Sequence, residues 1–118
     1  MNVFHASYDT TGYVPINMIG AYSVSKTALL GQTKAVAAAV SDDNIRVNGV
    51  APGIIRTKFS SAMWSDEDVG EETLNHVPLG RFGESKDIAG VTAFLCSDDS
   101  AYITGETIVA AGGMNSHL

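Results

Sequence analysis

Ile45-Arg46-Val47-Asn48-Gly49-Val50-Ala51, stopped by Pro52-Gly53, is the stretch on which the fold turns. It is short and mostly apolar, as suits a parallel strand covered on both faces. On its amino side, Ala21 to Val40 has a helical pattern that is apolar almost all round, ended by Ser41-Asp42-Asp43-Asn44. Such a helix is expected to be buried on two sides, by a sheet and by another helix or subunit. Earlier still, Asn2 to Ala6 reads as the end of a strand that enters a polar loop, Ser7 to Gly20.

On the carboxyl side, regularity is weak from Ile54 to Gly83, with Met63 and Trp64 followed by an acidic stretch. Ser85 reads as an N-cap with Asp87 in the first turn of a helix. Ile88, Val91, Thr92 and Leu95 then make one amphipathic face. A turn at Ser97 to Ser100 leads to a last strand, Thr107 to Ala111, closed by Gly112-Gly113. Strands alternating with helices in this order predict a parallel α/β layer. Three strands are few for such a sheet. An unpaired edge on the first strand is a liability, and suggests that part of the domain lies elsewhere.

The chain has 118 residues, at most one domain, with a formal net charge of −6 and only 7 Lys and Arg. No basic cluster occurs, which argues against nucleic acid or an anionic membrane as partner. No apolar run approaches the ~18 residues that span a bilayer. The single cysteine, Cys96, excludes an internal disulfide and suits a reducing compartment. Lying in Ala93-Phe94-Leu95-Cys96, it reads as a small buried core residue rather than a nucleophile. His5, His76 and His117 lack metal-ligand spacing, so no metal is expected.

Chemistry concentrates in Tyr22-Ser23-Val24-Ser25-Lys26. Residues four apart share a helix face, so the Tyr22 hydroxyl and the Lys26 ammonium can approach one site. A free tyrosine titrates near pH ~10 and is a poor proton donor at neutrality. A neighbouring cation favours the phenolate and brings the group toward the range of an acid/base catalyst. The pair alone is also compatible with a simple surface contact. Pro52-Gly53-Ile54-Ile55-Arg56-Thr57 reads either as a strand-ending turn or as a loop where Gly53 lets backbone come close to a ligand.

Taken together, Ala21 to Gly31, Asn44 to Asn48, Ala51-Pro52-Gly53, Leu79-Gly80-Arg81, Phe94 to Ser97 and Tyr102 to Thr107 resemble the short-chain dehydrogenase/reductase family in order and spacing. The resemblance implies that residues 1–118 form the carboxyl-terminal catalytic portion of a single doubly wound, Rossmann-type α/β domain. It implies an NAD(P)(H)-dependent oxidoreductase that reduces carbonyls or oxidises alcohols, with NADP(H) favoured over NAD(H). Tyr22 would be the acid/base, and Lys26 would bind the nicotinamide ribose. In the Pro52-Gly53-Ile54-Ile55-Arg56-Thr57 loop, the Ile55 amide and the Thr57 hydroxyl would hold the nicotinamide carboxamide. A small carbonyl or alcohol substrate and a homo-oligomer paired through the helix after Tyr22 are likewise implied.

Two departures from the family pattern stand out. The position where the family keeps its carbonyl-polarising serine holds Asp9, so Ser7 is the candidate, on a loop two residues longer, with Thr10 and Thr11 as fallback donors. No Gly-x-x-x-Gly-x-Gly occurs, so the dinucleotide-binding half is expected to be absent from these residues. The alternative reading is a truncated, non-catalytic product that acts, if at all, by associating with full-length subunits. Met63 and Trp64 are candidates either for a lid over substrate or for simple packing. Ser116-His117-Leu118 is similar to a Ser-Lys-Leu peroxisomal address, with a cytoplasmic location the alternative.

Overall fold

The computed structural model describes the backbone of residues 3–7 and all of residues 20–114. In chain order the elements are β1 (Val3–Ser7), α1 (Gly20–Ala39), β2 (Arg46–Pro52), α2 (Glu67–Leu74), α3 (Ser85–Cys96) and β3 (Thr107–Ala110). The strands form one parallel sheet in the order β1-β2-β3. Val3 lies opposite Arg46 and Ser7 opposite Val50, while Gly49 faces Thr107 and Pro52 faces Ala110. Parallel neighbours need a crossover that carries the chain back. The amino end of α1 therefore lies along the edge where Ser7, Pro52 and Ala110 end their strands.

The central strand is buried at every residue from Arg46 to Ala51, so both faces are covered. The two long helices, α1 and α3, both pack against it. Val47, Val50, Ala51, Leu95, Ala37 and Phe82 make up most of the core. Burying a side chain of the size of Leu95 contributes about 1.5–3 kcal/mol.

Two polar side chains on β2 are also buried, Arg46 at 6% exposure and Asn48 at 1%. Arg46 donates to the Leu95, Ser97 and Ile103 carbonyls, at 2.8, 3.2 and 3.2 Å. These include the open carbonyls at the carboxyl end of α3, where a cation is favoured. Asn48 donates to the Ile103 carbonyl at 2.8 Å and accepts the Glu106 N–H at 3.1 Å. The Gly105 N–H donates to the Val47 carbonyl at 2.7 Å, and Gly49 N–H to the Glu106 carbonyl at 2.8 Å. Thus Asn48 fastens the Ile103–Glu106 segment and sets the register in which β3 enters the sheet.

Several expectations are corrected by the structure. The stretch expected to be irregular contains the helix α2. Asp66 caps it by accepting the Val69 N–H at 3.1 Å, and Glu67 and Asp68 sit in its positively polarised first turn. Its side chains give no apolar stripe, so periodicity does not reveal it. The N-cap of α3 is Glu84 rather than Ser85, and Asp87 accepts the Glu84 N–H at 2.8 Å. Cys96 is exposed rather than buried. It follows the core residue Leu95 and is rotated by about 100° around the helix, away from the sheet. Within α1 only Ser23, Thr33 and Ala37 are buried, and Val24 is 70% exposed, so the cover expected on a second side is not supplied by the described residues.

Candidate active site

Along the carboxyl edge of the sheet, α1 begins at Gly20 and brings Tyr22 and Lys26 together. The Lys26 ammonium stands 5.2 Å from the centroid of the Tyr22 ring, and both side chains are half-buried. The Ser25 hydroxyl donates to the Tyr22 carbonyl at 2.7 Å, and Thr27 to the Ser23 carbonyl at 2.9 Å. Such bonds to carbonyls three and four residues back occupy the hydroxyls within the first turns. Ser23 is buried, and its hydroxyl has no hydrogen-bond partner among the described residues.

On the same edge β2 runs out into Pro52–Thr57. Pro52 is the last strand residue, and the Gly53 N–H still donates to the Ala110 carbonyl at 3.0 Å. A Cβ on Gly53 would lie 2.8 Å from the Ala111 Cα, so only glycine lets the two strand exits run this close. Farther on, Ile55 forms a single parallel bridge with Gly83. The Gly83 N–H donates to the Ile54 carbonyl, and the Arg56 N–H to the Gly83 carbonyl, both at 2.9 Å. Because backbone groups alternate in direction, the N–H and C=O of Ile55 face away from Gly83. The carbonyl accepts the Ser60 hydroxyl. The Ile55 N–H has no hydrogen-bond partner among the described residues.

Thr57 is exposed two residues later; its N–H donates to Ser60 Oγ at 3.2 Å, and its hydroxyl lies 3.2 Å from the same oxygen. An unpaired N–H and an exposed hydroxyl two residues apart suit a carboxamide, which carries both an acceptor and donors. The residues that the resemblance assigned to the nicotinamide therefore fit that group. Next to them the Arg56 guanidinium lies 5.8 Å from the Trp64 ring and 5.6 Å from the Phe82 ring. A cavity of about 580 Å³ opens beside the loop, lined by Gly53, Ile55, Val77, Leu79 and Met114 among others.

The structure thus pairs Tyr22 with Lys26 and joins Pro52, Gly53, Ile55 and Thr57 in one loop on the same sheet edge. Ser7 ends β1 opposite Val50, but its side chain lies outside the described residues, as do Asp9, Thr10, Thr11 and Ser116–Leu118. Met63 is exposed, and Trp64 is half-buried with its indole N–H donating to Ser60 Oγ at 3.1 Å. Sequence reasoning missed Ser60, because its role depends on a bridge between Ile55 and Gly83 that no local pattern announces. It also missed the pairing of Arg81 with Asp87, at 2.8 and 3.0 Å, which braces the Gly83 side of that bridge. An arginine shortly before a carboxylate in a first helical turn was the available signal.

A half-buried Tyr/Lys pair and a glycine-permitted loop with an N–H free among the described residues thus lie on one edge of a parallel sheet. A profile described as Enoyl-(Acyl carrier protein) reductase matches residues 2–115. The chain belongs to the short-chain dehydrogenase/reductase family, a family of oxidoreductases. It is 49% identical over 106 residues to Dehydrogenase/reductase SDR family member 4 of Bos taurus, a match covering 90% of this chain and 38% of that protein. A Sinorhizobium meliloti structure described as a short-chain alcohol dehydrogenase superposes with a TM-score of 0.87 at 44% identity, covering 94% of this chain and 44% of its own. A Beutenbergia cavernae structure described as an NAD(P)-dependent gluconate 5-dehydrogenase, with NADP bound at low occupancy, gives a TM-score of 0.89 at 28% identity, covering 94% and 45%. The chain therefore spans less than half the length of each of these relatives.

Proposed function

We propose that the full-length protein reduces carbonyls or oxidises alcohols by hydride transfer with NAD(P)(H), using Tyr22 as the acid/base. The observation that carries this reading is the approach of Lys26 to Tyr22, 5.2 Å from ammonium to ring centroid. A bound nicotinamide supplies the hydride in reduction and accepts it in oxidation. During reduction the carbonyl π pair moves onto oxygen, and the Tyr22 hydroxyl donates its proton there. The positive charge of Lys26 favours the phenolate left behind, which regains a proton from solvent. Lys26 also donates to the ribose hydroxyls. The Ile55 N–H and the Thr57 hydroxyl hold the carboxamide, and Ser7 orients the carbonyl as a hydrogen-bond donor.

NADP(H) is the cofactor we favour, supported by the NADP bound to the Beutenbergia cavernae relative. The substrate is a small carbonyl or alcohol, and the active form is a homo-oligomer paired through α1. Ser116-His117-Leu118 is the feature that supports a peroxisomal over a cytoplasmic location.

The test is Tyr22→Phe in the full-length protein. Turnover falls by about 10²- to 10⁴-fold, the usual share of a positioned acid/base, while cofactor binding followed by fluorescence stays nearly intact. Retention of most of kcat defeats the assignment. A second reading, a non-catalytic chain that docks on full-length subunits, is motivated by the apolar α1 with Val24 70% exposed. Micromolar binding of NADPH by the 118-residue chain in calorimetry excludes it.

A further inference from the structure

We infer that Ser60 is a positioning residue for the nicotinamide, and that Trp64 acts through it. The inference rests on the proposed function and adds to it how the Ile55–Thr57 donors are kept ready. A serine hydroxyl has one proton to give and two lone pairs to receive. At Ser60 the lone pairs are taken by two N–H groups that can only donate, that of Thr57 at 3.2 Å and the Trp64 indole at 3.1 Å. Its proton goes to the Ile55 carbonyl, with the Thr57 carbonyl at 3.2 Å as the weaker acceptor. The hydroxyl is then saturated.

Two consequences follow for the loop. Holding the Ile55 carbonyl fixes the peptide plane between Ile55 and Arg56 from one side, while Gly83 holds the Arg56 N–H and the Ile54 carbonyl from the other. Both peptide planes that flank Ile55 are thereby anchored, and its N–H is left pointing away from Gly83. Saturation of Ser60 also means that the Thr57 hydroxyl, 3.2 Å away, is not needed there. Its proton and lone pairs remain for the carboxamide. Trp64 keeps this arrangement closed: its N–H fills the last lone pair of Ser60, and its ring packs on Arg56 of the same loop. Without that N–H, Ser60 can accept the Thr57 hydroxyl instead and draw it from the ligand.

The experiment compares binding of NADP(H) with binding of 2′-phospho-ADP-ribose, which carries a hydroxyl in place of the nicotinamide and its carboxamide, by the full-length protein. Ser60→Ala should lose about tenfold in affinity for NADP(H), in line with the loss of one or two hydrogen bonds, and almost nothing for the truncated ligand. Ser60→Thr, which keeps the hydroxyl, should recover most of the loss. Trp64→Phe, which keeps a ring on Arg56 but removes the N–H, should lose about threefold, again for NADP(H) only. Equal losses for both ligands, or no loss for either, would overturn the inference while leaving the Tyr22 assignment standing. Failure of the unaltered protein to bind NADP(H) would instead overturn the proposed function, and this inference with it.

Discussion

Arg81 grips Asp87 with both branches of its guanidinium, Nη1 at 2.8 Å and Nη2 at 3.0 Å, and Asp87 in turn receives the Glu84 N–H at 2.8 Å. One carboxylate thus ties the approach to α3 onto the helix's first turn. The segment it secures contains Gly83, which holds the loop after β2 through the bridge to Ile55. A surface ion pair is worth little by itself, but a bidentate one fixes geometry.

The Arg81 hydrogen bonds, then the Glu84 N–H, hold the Asp87 carboxyl well below the usual carboxylate range, and the hydrogen bond from Lys86 lowers Glu84. Both folded-state values lie below the unfolded ones, near pH ~4. The stabilisation is therefore fully present above about pH 4 and is lost as pH falls through the folded values. Asp87→Asn should lower Tm at neutral pH, and the gap to the unaltered protein should narrow progressively as the pH falls below about 4. A gap that stays constant with pH would contradict the linkage.

Arg46→Met should destabilise the fold by about 1–3 kcal/mol, because the Leu95, Ser97 and Ile103 carbonyls each lose a donor and are left sharing the Ser100 hydroxyl or, at Ile103, the Asn48 amide. Arg46→Lys should recover only part of this, since an ammonium cannot spread over three carbonyls as a planar guanidinium does. Chemical denaturation of the full-length protein checks both.

Gly53→Ala should cost about 1–3 kcal/mol, as its Cβ would lie 2.8 Å from the Ala111 Cα. The backbone must open between the exits of β2 and β3, so cofactor affinity should fall as well. Loss of stability with unchanged affinity would detach the loop from the nicotinamide site.

Lys26→Met should reduce kcat by about 10²-fold and weaken cofactor binding, whereas Lys26→Arg, which keeps a positive charge on the same helix turn, should recover part of both losses. Steady-state kinetics on the two variants separates the loss of a charge from a disturbance of α1.

Much of the layout is legible in residue order. Arg46–Pro52 announces a buried strand because its apolar residues run on with little alternation, and Tyr22 and Lys26 announce a shared face by their spacing. The helix α2 stays hidden because Val69 is exposed and its stability comes from the Asp66 cap and local charge. Cys96 misleads because its neighbours in sequence are apolar, while one step around a helix decides which of them faces the core. Ser60 is illegible because its importance depends on Gly83 holding the other side of Ile55, a distant contact with no local signal.

The central strand has its anchor at one end and its chemistry at the other. Arg46 fastens the start of β2 to α3, while Pro52 opens into the loop that offers Ile55 and Thr57, some 20 Å along for seven residues. Changes at the far end need not loosen the near one. Such a strand works as a fixed mast with an interchangeable tip, so the residues that shape ligand preference can drift over generations while the fold that presents them stays put.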